Sequence, residues 1–465
     1  MSTPTCSATR SAAGDTGPSR AELLARHAEA LRQRGRFAEA VRTYEQAIEL
    51  FGARGDVISL AQAMTGYGKT LGQLGDPRAR TLPAEARALV EPLGPCPALI
   101  QALTEEAATR MLWGEDRQAI ENAGRALALA AQLGMPEPAR AAGLRGSARV
   151  SLGDAGGLED MRKALEAATA QGLGRDVAIL YNNQAEAMWL VEGPRQRLGL
   201  AREGARFAKR RGIDEVALWL DTNAVSALVD LGALEQAMSL AEELAPRVEE
   251  SGSVVCLLEI RVPQLRVLTV RGEHEAATAL GRWVVERGRE FASPEALAGA
   301  YPHAAALRMA QGDAPGARAL LAELGNAQTA STASYAANLG NAIRAALAAG
   351  ASELAAALAG AVHPKHPLQQ HAVATARALL AEHHGQHAQA AAQFADAAGR
   401  WERFEVPWEH AQALLGQGRC LLALGQTASA SQPLRAAREI LITLGAGPAR
   451  NDTDRLLAQT TSTRA

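Results

Sequence analysis

Eleven glycines stand in one phase along this chain: Gly35, Gly75, Gly114, Gly153, Gly193, Gly232, Gly272, Gly312, Gly350, Gly385 and Gly425. The steps between them stay near 40 residues, with one shorter step from Gly350 to Gly385. A small residue follows five positions on in Gly35/Ala40, Gly114/Ala119, Gly232/Ala237, Gly272/Ala277, Gly312/Ala317, Gly350/Ala355, Gly385/Ala390 and Gly425/Ala430. Gly153/Leu158 and Gly193/Leu198 place leucine there instead. A glycine without a Cβ lets the backbone reverse between two helices. An alanine five residues later lies where the second helix crosses the first and keeps the axes close. Neither helix of such a pair can bury its apolar face alone, so neighbouring pairs must stack.

The stretch Leu31–Leu50, LRQRGRFAEAVRTYEQAIEL, shows the unit most fully. Gly35 marks the turn, Ala40 and Ala47 share one helix face, and Phe37 and Tyr44 fill the space beside them. Each interval also carries a second break, as at Leu133-Gly134, Leu173-Gly174, Arg211-Gly212 and Leu444-Gly445. Aromatic residues make up only 4% of the chain against 48% hydrophobic, so Ala and Leu must fill the core. That favours closely packed helices over a β sandwich. The expected fold class is all-α: a right-handed α-solenoid of about eleven helix-turn-helix repeats with a period near 40.

Residues 1–19 are rich in Ser, Thr, Gly and Pro and read as a disordered tail. A superhelix of about nine repeats is expected over 20–362, and the last repeats over 363–448. The segment AVHPKHPLQQ (361–370) is the expected hinge between them. Residues 449–465 lose the periodicity and are expected to fray, with Leu456-Leu457 left to cap the last pair. After Gly75 the insertion DPRARTLPAE displaces the partner helix.

The unit resembles the tetratricopeptide repeat, though its period exceeds the usual 34 residues. The last unit, WEHAQALLGQGRCLLALGQTASASQPLRAAREILITLGA (408–446), resembles the closing repeat of bacterial multidomain signalling proteins. Those are the large ATP-dependent LuxR-type regulators and the class III cyclases with an ATPase module and a tetratricopeptide tail. The likeness covers residues 21–448 as architecture. It implies the sensor or docking part alone, so no cyclase or DNA-reading activity carries over.

Charge and motifs narrow the function. With 48 basic and 50 acidic residues the net charge is -2, which gives no reason to expect nucleic acid as a partner. Lys209-Arg210-Arg211 reads as a solvated helix end before Gly212. Cys6, Cys96, Cys256 and Cys420 form no CxxC pair, and no stretch of 18 apolar residues or signal segment is present. The expectation is a reduced cytoplasmic protein without a membrane partner.

Gly66-Tyr67-Gly68-Lys69-Thr70 imitates the end of a phosphate-binding loop, but Ala63 stands where that loop needs glycine and the flanks read as helix. The histidines His363, His366, His371, His383, His384 and His387 cluster, yet Gly385 separates His383 from His387 and carboxylates are few. No metal site is expected. Glu105-Glu106, Glu242-Glu243 and Glu249-Glu250 read as solvated helix faces. Without a nucleophile elbow or paired acids, no catalytic residue and no cofactor are expected.

Shape offers the better argument. Placing each turn glycine at the fifteenth position and taking the second, fifth, sixth and ninth positions selects groove candidates: Lys69, Gln101, Glu105, Asn183, Asn223, Arg266, His303, Asn341 and Arg419. Asparagine can bond both groups of a peptide backbone, and a cation can hold a carboxylate. The leading expectation is a non-enzymatic scaffold that binds a protein or peptide in bacterial regulation. The alternative is a detached sensor that binds a small ligand or peptide and controls a separate ATPase, cyclase or transcription regulator.

Overall fold

The computed structural model describes residues 18–291, 294–326, 329–330 and 332–462. The tail expected at 1–19 therefore lies outside the described residues except at its end, where Ser19 caps the first helix. There Ser19 Oγ accepts from the Glu22 amide at 3.3 Å, and the Glu22 carboxylate accepts from the Ser19 amide at 2.8 Å. That reciprocal pair satisfies two amides of the first turn of α1 (Arg20–Gln33). Gly35 reverses the chain at φ 75°, and α2 (Phe37–Arg54) returns with Phe37, Ala40, Tyr44, Ala47 and Phe51 buried along one stripe. Gly55 then closes α2 in the left-handed conformation.

The alternation continues through α3 (Val57–Gln73), α4 (Leu82–Val90), α5 (Pro97–Leu112), α6 (Asp116–Gln132), α7 (Ala139–Ser151), α8 (Gly156–Ala170), α9 (Gly174–Val191), α10 (Pro194–Lys209), α11 (Asp214–Asp230), α12 (Leu234–Ser251), α13 (Val254–Arg271) and α14 (His274–Phe291). It goes on with α15 (Pro294–Ala310), α16 (Ala314–Asn326), α17 (Ala333–Ala348), α18 (Ser352–Gly360), α19 (Pro367–His383), α20 (His387–Arg403), α21 (Pro407–Ala423), α22 (Thr427–Thr443) and α23 (Gly447–Ser462). Among the described residues there is no strand. The protein is all-α. Each of the eleven phased glycines separates a first helix from its partner, with φ between 72° and 101°. The inserted DPRARTLPAE forms a 3-10 turn, Pro77–Arg80, and the start of the short α4.

Two local readings shift by a residue or two. The left-handed glycine before α9 is Gly172, while Gly174 begins the helix. At the crossing of α7 and α8 the buried small residue is Gly157, not Leu158, which stays half-buried. A Cβ on Gly157 would lie 2.3 Å from the Gly146 carbonyl oxygen, so two backbones meet where other repeats place an alanine.

The chain divides into two compact units, and α9 to α13 each contribute residues to both. The first unit holds the described residues up to Ala187 with Leu200–Asp221 and Leu244–Leu257. Its cores gather Tyr44, Phe51, Tyr67 and Leu71 around α1 to α3, and Val90, Leu99 and Leu103 around α4 to α6. Repeats far apart in sequence also meet in it. Gln73 Oε1 accepts from Trp219 Nε1 at 3.1 Å and from Ser253 Oγ at 2.9 Å.

The second unit holds Met188–Gly199, Thr222–Glu243 and the described residues from Leu258 onward. One apolar cluster runs from Trp189 to Cys420. The Phe394 ring occupies the space that a Cβ on Gly416 would need, and Trp401 Nε1 donates to Thr375 Oγ1 at 2.7 Å. The boundary drawn at 362/363 falls inside this unit, where α17 packs directly on α19. The segment from 449, expected to fray, instead forms most of α23. Thr453 is fully buried there, Leu456 and Leu457 pack beside Leu434, and Arg438 Nε donates to Asp454 at 2.6 Å. Its leucines and threonine face the preceding pair, so tertiary packing holds a helix that its polar composition hides. No described helix is long and apolar enough to cross a membrane.

Candidate functional site

First helices are buried on two sides and second helices on one. Thus α5 buries Leu99, Ile100, Leu103, Glu105, Glu106 and Ala107, whereas α6 buries a single stripe through Ala119, Ala123, Ala126 and Ala130. Polar side chains on a first helix therefore meet those of other first helices. In the first unit six of these helices join in two linked sets of charges.

The first set starts on α1. Arg32, 1% exposed, donates through one Nη to both Glu215 carboxylate oxygens, at 2.7 and 2.8 Å. The two residues are 183 apart in sequence, and Glu215 is the second residue of α11. Arg175, the second residue of α9, donates to the same carboxylate at 2.7 Å. Glu29 accepts from Arg32, Gln33 and the Tyr44 hydroxyl. Burial would raise its carboxyl, but these donors, Arg32 foremost, hold it down at about 2.

The second set spans α3, α5 and α7. Lys69 and Arg140 both donate to one oxygen of Glu105. Burial pushes the Glu105 carboxyl up, yet Arg140 and Lys69 outweigh it and keep the group ionised far below the usual range. The Lys69 ammonium moves down as well, to about 8. Burial is the larger cause; Glu105 attracts the ammonium while Arg140, Arg32 and Arg175 repel it. Glu105 faces two cations, whereas Lys69 faces one anion and three, so one ion pair lowers one partner without raising the other. Arg175 is lowered by burial first, with Glu215 opposing and Arg32 and Arg140 adding repulsion.

Glu105-Glu106 is therefore not a solvated face: both are under a tenth exposed, and Glu106 accepts from Arg87 at 2.6 Å and Arg110 at 3.1 Å. Beside this network a cavity of about 320 Å³ opens between the α1–α2 turn, α11 and α12. Phe37, Leu218 and Trp219 line it together with Arg34, Arg247 and Glu215.

In the second unit Arg266 on α13 donates to Asp230 at 2.5 Å. His303 on α15 is buried and pushed down to about 3 by burial and by the Arg266 charge, against a hydrogen bond with Asn338. Asn341 Oδ1 accepts from Arg344 at 3.1 Å and from Trp408 Nε1 at 3.3 Å, and Arg344 pairs with the buried Glu409. Gly340 leaves room for that carboxylate: a Cβ there would lie 2.8 Å from Glu409 Oε2.

Of the residues selected from sequence, Lys69 and Glu105 touch, Arg266 and His303 interact, and Asn341 joins Arg344. Gln101 bonds Gln62 at 3.3 Å on an exposed surface, Arg419 pairs with Glu382 at 2.7 Å, and Asn183 and Asn223 are buried. Arg32, Arg140, Arg175 and Glu215 were missed. A charge in the first turn of α7, α9 and α11 was the signal that marks three of them. The Gly66 to Thr70 string lies inside α3, where Gly66 accommodates the Tyr44 hydroxyl. His383 ends α19 and His387 begins α20, with Gly385 at φ 73° between them. No group of three or more His, Cys, Asp or Glu among the described residues is placed to hold a metal.

Paired helices, left-handed glycines at the turns and buried small residues at the crossings decide the architecture. The fold is of the tetratricopeptide type. No family model matches the chain, and no curated protein matches it. Among solved structures it is similar to the Cut9–Hcn1 hetero-tetramer of the APC/C, with TM-score 0.41, 13% identity, and 96% of this chain and 97% of that chain covered. It is similar to a signal transduction ATPase with numerous domains and a tetratricopeptide repeat sensor from Pyrococcus horikoshii, with TM-score 0.37, 13% identity, and 66% and 52% covered. Yeast Tom70 is a third, with TM-score 0.34, 11% identity, and 96% of each chain covered. These likenesses carry neither a site nor a partner to this chain.

Proposed function

We propose that the chain is a non-enzymatic scaffold that binds a protein or peptide along the polar face of its first helices, in bacterial regulation in the cytoplasm. One observation carries the reading: successive first helices contribute charged and amide side chains to connected sets, while second helices present ordinary solvated faces. In the second unit this set offers what a peptide needs. Asn341 accepts through its oxygen, leaving its amide nitrogen for a backbone carbonyl, and Arg344 and Trp408, which donate to that oxygen, stand beside it for a carboxylate or an apolar side chain.

The test is a photo-crosslinking amino acid placed at Asn341 and, separately, at the exposed Glu242 on α12. In native lysate the Asn341 position is expected to capture one defined partner that the Glu242 position does not. Crosslinks from Glu242 alone would overturn the reading.

A second reading, a sensor that binds a small ligand and controls a separate signalling ATPase, cyclase or transcription regulator, is favoured by the cavity beside Glu215. Its volume of about 320 Å³ falls within the range that small molecules occupy.

A further inference from the structure

Building on the sensor reading above, we propose that the cavity between the α1–α2 turn, α11 and α12 binds a small zwitterion with an apolar body, of the class of a free apolar α-amino acid. Every residue that lines this cavity belongs to the first unit.

The walls are held in place without a ligand. Arg32 of α1 bonds Glu215 of α11, and Gln73 accepts from both Trp219 and Ser253. A Cβ on Gly35 would lie 3.5 Å from that of Ser251, so the α1–α2 turn rests against the end of α12. Trp219 is half-buried, and its bond to Gln73 holds the indole in a wall that Phe37 and Leu218 continue. Those three side chains offer an apolar surface in a space of about 320 Å³, which suits a small molecule.

Charge decides the class of that molecule. Arg34, Arg247, Asp214 and Glu250 also line the cavity; all four are exposed, and none has an ion-pair partner among the described residues. The other charges there are taken, Arg36 by Glu39 and Glu215 by Arg32 and Arg175. Two guanidiniums and two carboxylates cancel, so a ligand of one sign meets as much repulsion as attraction. A ligand that bears both signs finds a partner for each.

Arg247 and Glu250 are three residues apart on α12, a spacing that puts side chains on one face with Cβ atoms about 5–6 Å apart. A guanidinium and a carboxylate therefore stand side by side, as the two charged groups of an α-amino acid require. Arg34 caps the end of α1 and Asp214 opens α11, so each suits its own helix dipole. Glu250 does not. It is the penultimate residue of α12, where the backbone already carries negative charge, and no cation pairs with it. The ammonium of the ligand supplies that cation, while Arg247 takes the ligand carboxylate.

The purified full-length chain is titrated with L-phenylalanine, L-leucine, glycine, N-acetyl-L-phenylalanine and L-phenylalaninamide, and with glucose and adenosine as uncharged compounds. Calorimetry and thermal melts supply the readouts. Phenylalanine or leucine is expected to bind and to raise Tm. Glycine lacks the apolar body, the acetyl derivative lacks the ammonium and the amide lacks the carboxylate, so each is expected to bind roughly tenfold or more weakly. Arg247→Gln and Glu250→Gln change exposed residues, so each should leave the ligand-free melt nearly unchanged and weaken binding by a similar factor.

Binding that ignores both substitutions would overturn the proposal by placing the ligand elsewhere. Glycine or a derivative binding as tightly as phenylalanine, or heat from glucose or adenosine alone, would overturn it and leave the sensor reading standing. Silence across all seven compounds would overturn it together with the sensor reading.

Discussion

A single atom decides two substitutions in opposite directions. A Cβ on Gly157 would stand 2.3 Å from the Gly146 oxygen, and backbone cannot give way as a side-chain tip can. Gly157→Ala is therefore expected to destabilise the first unit by about 1–3 kcal/mol by overpacking. Gly199, inside α10, has nothing within 4 Å of its Cβ position. Gly199→Ala is expected to add roughly 0.5–1 kcal/mol through helix propensity alone. Urea titrations of the two variants check both signs. His303 makes a pH statement of the same local kind. Its ordinary value of 6.5 drops to about 3 in the folded chain, so folding favours the neutral ring. That contribution is complete above the unfolded value and is lost as pH falls through about 3. Between about pH 7 and about pH 4 the wild type should lose more Tm than His303→Gln, which has no ring proton to gain. Equal losses would show that His303 is not held neutral.

Between elements, long-range ion pairs and the last helix bear the load. Arg32 links α1 to α11 through a pair whose side chains are 1% and 2% exposed. Removing Arg32 leaves the buried Glu215 carboxylate with Arg175 as its remaining donor, so Arg32→Met is expected to cost about 1–3 kcal/mol. In a double-mutant cycle with Glu215→Met, the double variant should lose less than the sum of the singles, read by denaturant unfolding. Additive losses would mean the two groups do not interact. At the other end α23 closes the stack. Leu456→Asp with Leu457→Asp is expected to lower stability by about 1–3 kcal/mol as the cluster with Leu434 opens. An unchanged melt would show that α23 does not pack there.

Across the whole chain the repeat was readable because it is local. Gly35, Gly75 and their successors need φ above zero at every turn, and that demand shows in one sequence. The charge network was only half readable, because its register drifts. Lys69 stands six residues before its turn glycine, Glu105 nine before, Arg140 thirteen before and Arg175 eighteen before. Fixed positions within the repeat found the first two; Arg140 stands at the second position, as Gln101 does, and was passed over there, while Arg175 falls before the first of the fifteen positions. Arg32 and Glu215 meet only because repeats 183 residues apart come together in the first unit, which no local period reports. The missed helix α23 follows the same logic, since its reason lies in the surface it covers. The central claim is that first helices concentrate positive charge around one lysine in the first unit. The chain has only four lysines, Lys69, Lys163, Lys209 and Lys365, so each can be followed by NMR after carbon-13 dimethylation, with Lys69→Arg assigning the signal. The account predicts a Lys69 midpoint near pH 8. A midpoint at the ordinary lysine value of about 10.4 would contradict it.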